Sequence, residues 1–213
     1  MNQNKKWWIE TNLNTLKNNL EKRNFDCFII DKKEEVIDLI KDIVKEGSTV
    51  AVGGSMSLFE IGLIDFLRNG KYVFYDRYKE GLSPNEIADI HRKAFFTDYF
   101  FMSSNAITLD GKLINIDGAG NRLAALLYGP KNVIVIVGIN KLVQNEEQGI
   151  LRVRNIASPT NCKRLSKKTP CVVDGQCHDC LSDDCICSHI VVTRRHSEKG
   201  RIKVIVVKEE LGF

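Results

Sequence analysis

The apolar and polar positions of the chain alternate between a helical and a strand-like pattern. Near the start, Trp8, Leu13, Leu16 and Leu20 recur at helical spacing, so residues 5–23 are predicted to form an amphipathic helix. Short apolar runs bounded by polar residues then predict buried strands at 25–30, 48–52, 71–76, 99–104 and 132–138. Because helical patterns separate these runs, the sequence indicates an α/β fold with a mostly parallel sheet and helices on both faces.

Local signals place the helices between the strands. Asp31 is predicted to cap a helix that Gly47 ends and whose apolar positions are Val36, Ile37, Leu39, Ile40 and Ile43. Ser83, with Glu86 three residues later, forms a capping-box pattern at the start of another helix. Further helices are predicted at 123–128 and, ahead of Pro159, at 145–157.

The stretch 103–143 concentrates polar residues at its turns. It opens with a predicted β-hairpin, ITLDGKLINID, in which Asp110 and Gly111 form a two-residue turn between alternating apolar positions. A glycine-rich turn at 118–122 follows, then a short helix and the most hydrophobic strand of the chain. Polar turn residues without an evident packing role indicate one wall of a ligand site.

A second glycine turn links a predicted strand to a helix at residues 53–55. Two glycines let the backbone approach a ligand and free amides attract an anion, although the same residues also suit a tight turn with a serine cap. Ligands of parallel sheets bind beyond the carboxyl ends of the strands, so this turn is expected to face residues 121 and 122 there. The predicted ligand-binding residues are Gly53, Gly54, Ser55, Asn105, Gly118, Gly120, Asn121 and Arg122.

The expected ligand is a small anionic metabolite that carries a carboxylate or a phosphate. Arg122 is expected to bind this anion through two parallel N–H bonds. Glu60 and Asp117 are the candidate catalytic acid–base residues, although Glu60 also fits a solvated helix position.

The bulk composition excludes several classes of protein. With 43% hydrophobic and 27% charged residues, the chain resembles an ordinary globular protein rather than a disordered one. A formal net charge of +4 argues against a dedicated nucleic-acid binder. No apolar run approaches membrane-spanning length, and the first residues carry no signal-peptide pattern, so we expect no membrane span and a cytoplasmic location.

Six of the seven cysteines fall within residues 162–187, in a polar, loop-like segment. In a reducing compartment, such a cluster indicates metal or redox chemistry rather than disulfides. Cys27 stands apart in a predicted strand, where it is interpreted as a small core residue. The predicted metal ligands, spaced C-x5-C-x2-C-x6-C with Cys162 and Cys185 as spare thiols, are Cys171, Cys177, Cys180 and Cys187.

The state of these cysteines stays open among three alternatives. A structural zinc ion would cross-link a loop that has little core of its own. A [4Fe–4S] cluster would add electron transfer or sensing, although the x6 gap is not a common ferredoxin spacing. Unliganded thiols clustered in a polar loop would be prone to oxidation.

Four segments together resemble the lactate-utilisation (LUD) domain family, and more narrowly its short, stand-alone bacterial branch. They are GGSMSLFEIG, the stretch 103–143, TPCVVDGQCHDC and the ending IKVIVVKEELGF. The resemblance implies the fold shared by CoA transferases and ribose-5-phosphate isomerase. It also implies a site at the glycine turn, Glu60, Asn105 and residues 118–122.

Three parts of the chain are expected. Residues 1–158 would form the LUD-like α/β domain, residues 159–188 a cysteine-rich loop or metal-binding appendage, and residues 189–213 the strands that complete the domain. The two strand-like runs in the last part, 189–195 and 201–209, would pair as a hairpin or add to the edge of the sheet.

The resemblance also suggests a function, because longer relatives take part in oxidising lactate to pyruvate alongside iron–sulfur proteins. The first expectation is therefore a component of lactate-like organic-acid oxidation, which favours a [4Fe–4S] cluster over zinc. An iron–sulfur redox partner protein and a homo-oligomer are the partner classes left open. The alternatives are a non-catalytic metal-bound sensor or, by fold analogy alone, a sugar-phosphate isomerase or CoA-transferase-type enzyme.

Overall fold

Two sheets form the framework of the protein. The computed structural model describes residues 2–213. Its strands are β1 (Asp26–Ile30), β2 (Thr49–Val52), β3 (Val73–Tyr75), β4 (Tyr99–Met102), β5 (Ala106–Thr108), β6 (Leu113–Asp117), β7 (Asn132–Gly138), β8 (Leu142–Val143), β9 (His189–Thr193) and β10 (Ile202–Val207). The larger sheet has the order β1-β10-β7-β4-β2-β3, and all its neighbouring strands are parallel.

Helices cover both faces of this sheet. They are α1 (Gln3–Lys22), α2 (Val36–Ile43), α3 (Met56–Glu60), α4 (Leu63–Asn69), α5 (Pro84–Lys93), α6 (Asn121–Leu127), α7 (Glu146–Arg152), α8 (Ser158–Arg164) and α9 (Cys171–Asp174). Side chains of α1 and α6 pack in one core cluster, and those of α2, α3 and α4 in the other. The predicted α/β class, with a mostly parallel sheet between helical layers, is confirmed.

Strand β7 shows why a continuous apolar run belongs at the centre of such a sheet. Its alternate residues Val133, Val135 and Val137 join the cluster of α1, whereas Ile134 and Ile136 join the cluster on the opposite face. Both faces of the strand are therefore buried, as expected for a parallel strand covered on both sides.

The smaller sheet has the order β8-β5-β6-β9. Strands β5 and β6 are antiparallel neighbours, so the predicted hairpin is confirmed. Gly111 has a φ of 88° in the turn between them, a left-handed conformation that glycine adopts without strain. One face of this sheet packs towards α1 through Ile107 and Leu113, and Ile114 packs with the helical segment Val153–Ala157.

Two predictions near the N-terminus are wrong in detail. In α1 the buried positions are Ile9, Leu13, Leu16 and Leu20, whereas Trp8 is 47% exposed, so the apolar stripe starts one residue later than predicted. Asp31 does not cap α2, because a 3₁₀ turn at Lys33–Glu35 precedes that helix. The Asp31 carboxylate instead pairs with Lys208 at 2.6 Å.

The helix predicted to end before Pro159 continues past it. Helix α7 passes through a π-helical segment, Val153–Ala157, directly into α8, whose first turn contains Pro159. Proline is tolerated in a first helical turn, and the wider π-helical turn changes the hydrogen-bond register just before it. The helical run therefore extends to Arg164 and includes Cys162.

The two C-terminal strands lie in different sheets, so the prediction of a hairpin between them is wrong. Strand β9 pairs antiparallel with β6 at the edge of the smaller sheet. Strand β10 lies between β1 and β7 in the larger sheet, not at its edge. Its residues are buried on both faces, with Val204 in one core cluster and Ile205 in the other, and this pattern fits an interior strand.

Within residues 2–213, no helix combines the length and the apolar character needed to cross a membrane.

Candidate functional site

A cavity of about 290 Å³, named the main cavity here because it gathers most of the predicted site residues, lies at the carboxyl ends of the parallel strands. Segments that follow β2, β3, β4 and β7 line it, together with the glycine turn before α6 and with α8. The structure brings most of the predicted site residues to this cavity, namely Gly54, Ser55, Asn105, Asp117, Gly118, Asn121 and Arg122. The predicted geometry, in which residues 121 and 122 meet residues 54 and 55 at the strand ends, is present, while the binding roles stay predictions.

Arg122 is bonded within the protein through its whole guanidinium group. Its Nε–H donates to Asp117 Oδ2 at 3.0 Å, and its Nη atoms donate to side-chain oxygens of Asn105 and Asn115 at 3.2 and 2.6 Å. Two further bonds go to the carbonyl oxygens of Ser103 and Ile116. These bonds use all five N–H donors of an arginine.

In this arrangement Arg122 has no N–H left for the predicted two-bond contact with an anion, and its anion-binding role stays a prediction. Burial lowers the pKa of Arg122, and the neighbouring Asp117 carboxylate opposes that shift. The ion pair ties the glycine turn to the ends of β4 and β6. Arg122 thus shapes the cavity wall rather than reaching towards a ligand.

Two of the predicted glycines also serve this wall instead of a ligand. The Gly53 N–H donates to Phe101 O at 2.8 Å, and the Gly120 N–H donates to Asp117 Oδ1 at 2.8 Å, so neither amide is available for an anion. A Cβ on Gly53 would lie 3.0 Å from Cγ and Cδ of Arg122. Glycine is needed at position 53 because the Arg122 side chain passes there.

The two candidate catalytic carboxylates are engaged as well. Glu60, exposed at the end of α3, lies outside the cavity lining and accepts the Gly212 N–H at 2.8 Å. Both oxygens of Asp117 accept bonds, from Gly120 and from Arg122. The structure thus places Glu60 away from the cavity, and the catalytic role of Asp117 stays a prediction.

Lys141 is the most unusual group on the cavity wall. It ends the 3₁₀ turn Ile139–Lys141 directly after β7, is only 4% exposed, and donates from Nζ to Ser57 Oγ and Ser103 Oγ, both at 2.9 Å. Burial lowers the pKa of Lys141 to about 7, because the charged form loses hydration, and nearby Arg152 and Arg122 disfavour it further. A large share of this amine is therefore neutral at physiological pH.

Donors that are not committed to the protein also face the cavity. Among the described residues, Arg77 has no hydrogen-bond or ion-pair partner for its guanidinium, which lies 5.4 Å from the Tyr78 ring centroid. The side-chain oxygen of Asn105 accepts bonds from Ile116 N and Arg122, so its NH₂ group remains available. Arg164 adds positive charge, although Asn161 Oδ1 accepts two of its N–H bonds. These side chains place hydrogen-bond donors and positive charge on the wall of the main cavity.

A second cavity, of about 130 Å³, is lined by cysteines. All four predicted metal ligands line it, and so do Cys162 and Cys185, which the spacing alone treats as spare. The six thiols come from α8, α9 and the loop that follows α9. No three His, Cys, Asp or Glu side chains within residues 2–213 form a group that could hold a metal ion in this arrangement.

The thiols around the cysteine cavity differ in acidity. Burial raises the pKa of Cys162 and of Cys187 to about 11. Hydrogen bonds from Ser182 lower the pKa of Cys180, which is partly buried. Every one of the seven cysteines is a free thiol in the structure.

The two cavities share a wall. Ile116, Ser158 and Ile186 line both of them. The backbone of Ile186 also packs on the glycine turn, since a Cβ on Gly118 would lie 3.2 Å from Ile186 Cα. Residues of the cysteine-rich segment therefore line the main cavity as well as the cysteine cavity, and the predicted division into domains stays a prediction.

The sequence model of the LUD domain family matches residues 13–207, which is most of the chain. The chain belongs to the LUD domain family. No significant match is found among curated proteins. A solved structure of a DUF162 family protein from Deinococcus radiodurans has a TM-score of 0.51 and 14% sequence identity, and the alignment covers 93% of this chain and 98% of that one. This likeness shows a common fold.

Several residues at the cavity of this LUD domain are not among the predicted site residues. They are Ser57, Arg77, Ser103, Lys141, Asn161 and Arg164. The rule that ligands bind beyond the carboxyl ends of parallel strands would have found three of them, because Arg77 follows β3, Ser103 follows β4 and Lys141 follows β7. No sequence signal points to residues 161 and 164, which reach the cavity only because the helical run continues past Pro159.

Proposed function

We propose that this LUD domain binds a small 2-hydroxy carboxylate of the lactate type in the main cavity and takes part in its oxidation. The observation that carries the proposal is the shared wall, where Ile116, Ser158 and Ile186 line both the main cavity and the cysteine cavity. A bound anion and a redox centre among the cysteines would be neighbours there. Electron transfer between two groups requires such proximity.

Recognition of the carboxylate would rest on the uncommitted donors of the main cavity. Arg77 supplies a guanidinium without a protein partner among residues 2–213, and Asn105 supplies a free NH₂ group. A guanidinium binds a carboxylate through two parallel N–H bonds, which gives both affinity and orientation. Asp117, the one side-chain carboxylate among residues 2–213 that lines this cavity, is already paired with Arg122.

The cysteine cavity fits a thiolate-bound metal centre by its donor chemistry. Soft thiolate ligands select zinc or iron–sulfur clusters, and a [4Fe–4S] cluster needs four of the six thiols present. Cys171, Cys177, Cys180 and Cys187 remain the proposed ligands. A [4Fe–4S] cluster would supply electron-accepting capacity, whereas zinc would supply only a structural cross-link.

The proposed oxidation also requires an electron acceptor and a proton acceptor. Oxidation of a 2-hydroxy acid to a 2-oxo acid breaks one C–H and one O–H bond and releases two protons and two electrons. The electrons require an acceptor outside this chain, and an iron–sulfur redox partner protein is the proposed class. The neutral amine of Lys141, on the wall of the main cavity, can accept one of the protons.

The anion site is tested by calorimetric titration with lactate, glycolate, pyruvate and inorganic phosphate. Arg77→Gln is expected to weaken carboxylate binding at least tenfold, since a hydrogen bond to a charged group contributes about 1.5–3 kcal/mol. Arg195→Gln, which changes an exposed arginine outside both cavities, is the matched control. Equal affinities in the wild type and in Arg77→Gln would contradict the site.

The redox centre is tested by anaerobic purification followed by iron, sulfide and zinc analysis and a visible spectrum. Iron and sulfide in cluster proportion, with visible cluster absorption that bleaches as lactate reduces the iron, would support the proposal. Cys177→Ser should lose the metal, while Cys27→Ala, which changes the cysteine outside the cavity, should keep it. One zinc per chain with intact anion binding would instead favour a metal-bound sensor without turnover.

A further inference from the structure

Lys141 and two hydroxyl groups form a triangle on the wall of the main cavity. Nζ lies 2.9 Å from Ser57 Oγ and 2.9 Å from Ser103 Oγ, and the two hydroxyl oxygens lie 3.5 Å apart. A lysine nitrogen has three bonding positions besides its side chain. Two are directed at hydroxyls, so one remains for a ligand in the cavity.

The surroundings of this amine disfavour its protonated form. No carboxylate forms an ion pair with Lys141 in the part of the chain that the structure describes. Burial is the largest cause that lowers its pKa, Arg152 and Arg122 add to it, and Glu60 opposes it weakly. Desolvation beside other cations is a known way to turn a lysine into a nucleophile.

The neighbouring arginines cannot substitute for it as ligands of the cavity. Arg122 is saturated by five bonds, and Arg152 donates to main-chain oxygens of Asn140, Asn105 and Phe213. Both therefore act as fixed positive charges behind the wall. Lys141 is the nucleophilic nitrogen that the cavity offers.

We propose that the Lys141 amine forms an imine with the carbonyl carbon of a small 2-oxo carboxylate held in the main cavity. The inference rests on the anion site of the proposed function and names the oxo acid as the class of compound that this site captures.

The step balances without an oxidant. Nζ attacks the carbonyl carbon, and the carbonyl oxygen takes up a proton, which gives a carbinolamine. Loss of its hydroxyl as water forms the C=N bond, and one water leaves for each imine formed. Ser57 and Ser103, within hydrogen-bond distance of Nζ, are placed to pass protons between the nitrogen and the departing oxygen. Arg77 and Asn105 would hold the carboxylate meanwhile.

The test is reductive trapping of the full-length protein with pyruvate and sodium cyanoborohydride, followed by peptide mass spectrometry. We expect one reduced pyruvyl adduct on Lys141, formed faster at pH 8 than at pH 6. At pH 7 a lysine with a pKa near 7 holds on the order of 10³ times more neutral amine than an ordinary lysine, so Lys141 should be labelled far ahead of the exposed lysines. Excess lactate, which has no carbonyl to react, should slow the labelling by competing for the cavity.

Matched variants separate this proposal from the proposed function. Lys141→Arg should abolish the adduct, while Lys131→Arg, at an exposed lysine paired with Asp98, should leave it unchanged. Pyruvate binding by calorimetry without trapping at Lys141 would overturn the imine and leave the anion site standing. Labelling of exposed lysines alone would also overturn it, and absence of both binding and trapping would overturn both proposals. Peptide mapping of the wild type decides the matter even if Lys141→Arg does not fold.

Discussion

At the residue scale, the two buried cations Arg122 and Lys141 have different roles. Arg122 donates all its N–H groups to hydrogen bonds with Asp117, two asparagines and two carbonyl oxygens. Lys141 has hydroxyl partners only, and its amine is partly neutral. The first therefore organises the cavity wall, and the second gives that wall its reactivity.

Replacing Arg122 should destabilise the whole protein rather than only weaken binding. Arg122→Met leaves the Asp117 carboxylate without its cationic partner and removes the arginine donor from the carbonyl oxygens of Ser103 and Ile116. Breaking a buried ion pair in this way costs about 3–5 kcal/mol. Urea denaturation measures the change. The exposed pair of Arg92 with Asp89 is the control, since Arg92→Met should change stability by less than about 1 kcal/mol. Wild-type stability in Arg122→Met would show that the network is dispensable.

Lys141 should make stability depend on pH near neutrality. The folded pKa of about 7 lies below the ordinary value of 10.5, so between these values the unfolded chain binds more protons than the folded one. Stability should therefore rise with pH from about 7, by up to about 1.4 kcal/mol per pH unit. Urea denaturation between pH 6.5 and 8.5 should show this slope in the wild type and lose it in Lys141→Met.

Exposed Lys79 provides the control for that pH profile, because Lys79→Met should keep the wild-type slope. The window ends at pH 8.5 because buried thiols such as Cys27, whose pKa burial raises to about 12, reverse the trend at higher pH. Parallel pH profiles for the wild type and Lys141→Met would contradict the assignment.

At the scale of elements, the ends of the central strands decide what reaches the cavity. Strand β7 ends in Gly138, and the chain after β10 passes directly over it: Ile139 N–H donates to Glu209 O at 3.0 Å. This crossing holds the turn that carries Lys141. The helical run through Pro159 likewise brings α8, with Cys162 and Arg164, to both cavities.

Gly138→Ala should therefore loosen the C-terminal segment. An added Cβ would lie 2.7 Å from Glu209 O and closer still to Leu211 N. Both are backbone atoms, so relieving these contacts would require the main chain to shift. We expect a loss of about 1–3 kcal/mol and faster hydrogen exchange in residues 209–213. Gly54→Ala, whose Cβ would have an ordinary 3.7 Å contact with Arg77, should retain wild-type exchange there. Unchanged exchange in Gly138→Ala would contradict this account of the crossing.

At the scale of the whole molecule, two sheets and a cysteine-rich segment meet around adjoining cavities. Ile186 connects the two cavities, because it lines both of them and its backbone packs against Gly118. Loss of a metal from the cysteine cavity should therefore also change ligand binding in the main cavity.

Removal of the proposed metal centre should lower both stability and anion affinity. A ligand present at 100 times its dissociation constant stabilises by about 2.7 kcal/mol, which corresponds to roughly 5–10 °C in Tm for a domain of this size. Thermal unfolding and pyruvate titration before and after anaerobic chelation measure the two effects. The Tm and the pyruvate affinity of Cys177→Ser should not change on chelation. If those of the wild type do not change either, a stabilising metal centre is ruled out.

The sequence alone determined the parts of this protein that depend on local patterns. The strands, the β-hairpin, the capping box at Ser83 and the fold class follow from apolar periodicity and turn chemistry, which act over a few residues. The same rule of strand ends located the rim of the cavity. Family membership follows from motifs at Gly53–Gly54 and in the stretch 103–143, together with the match to residues 13–207.

Only the tertiary structure decided which strands pair with each other and which groups surround each buried side chain. Strand β10 lies between β1 and β7 because both its faces are apolar, and its neighbours lie far away in the chain. Arg122 is satisfied, Lys141 is desolvated and six cysteines surround one cavity for the same reason: each property depends on groups distant in sequence. Burial and hydrogen bonding at these positions are set by packing, which a local pattern does not contain.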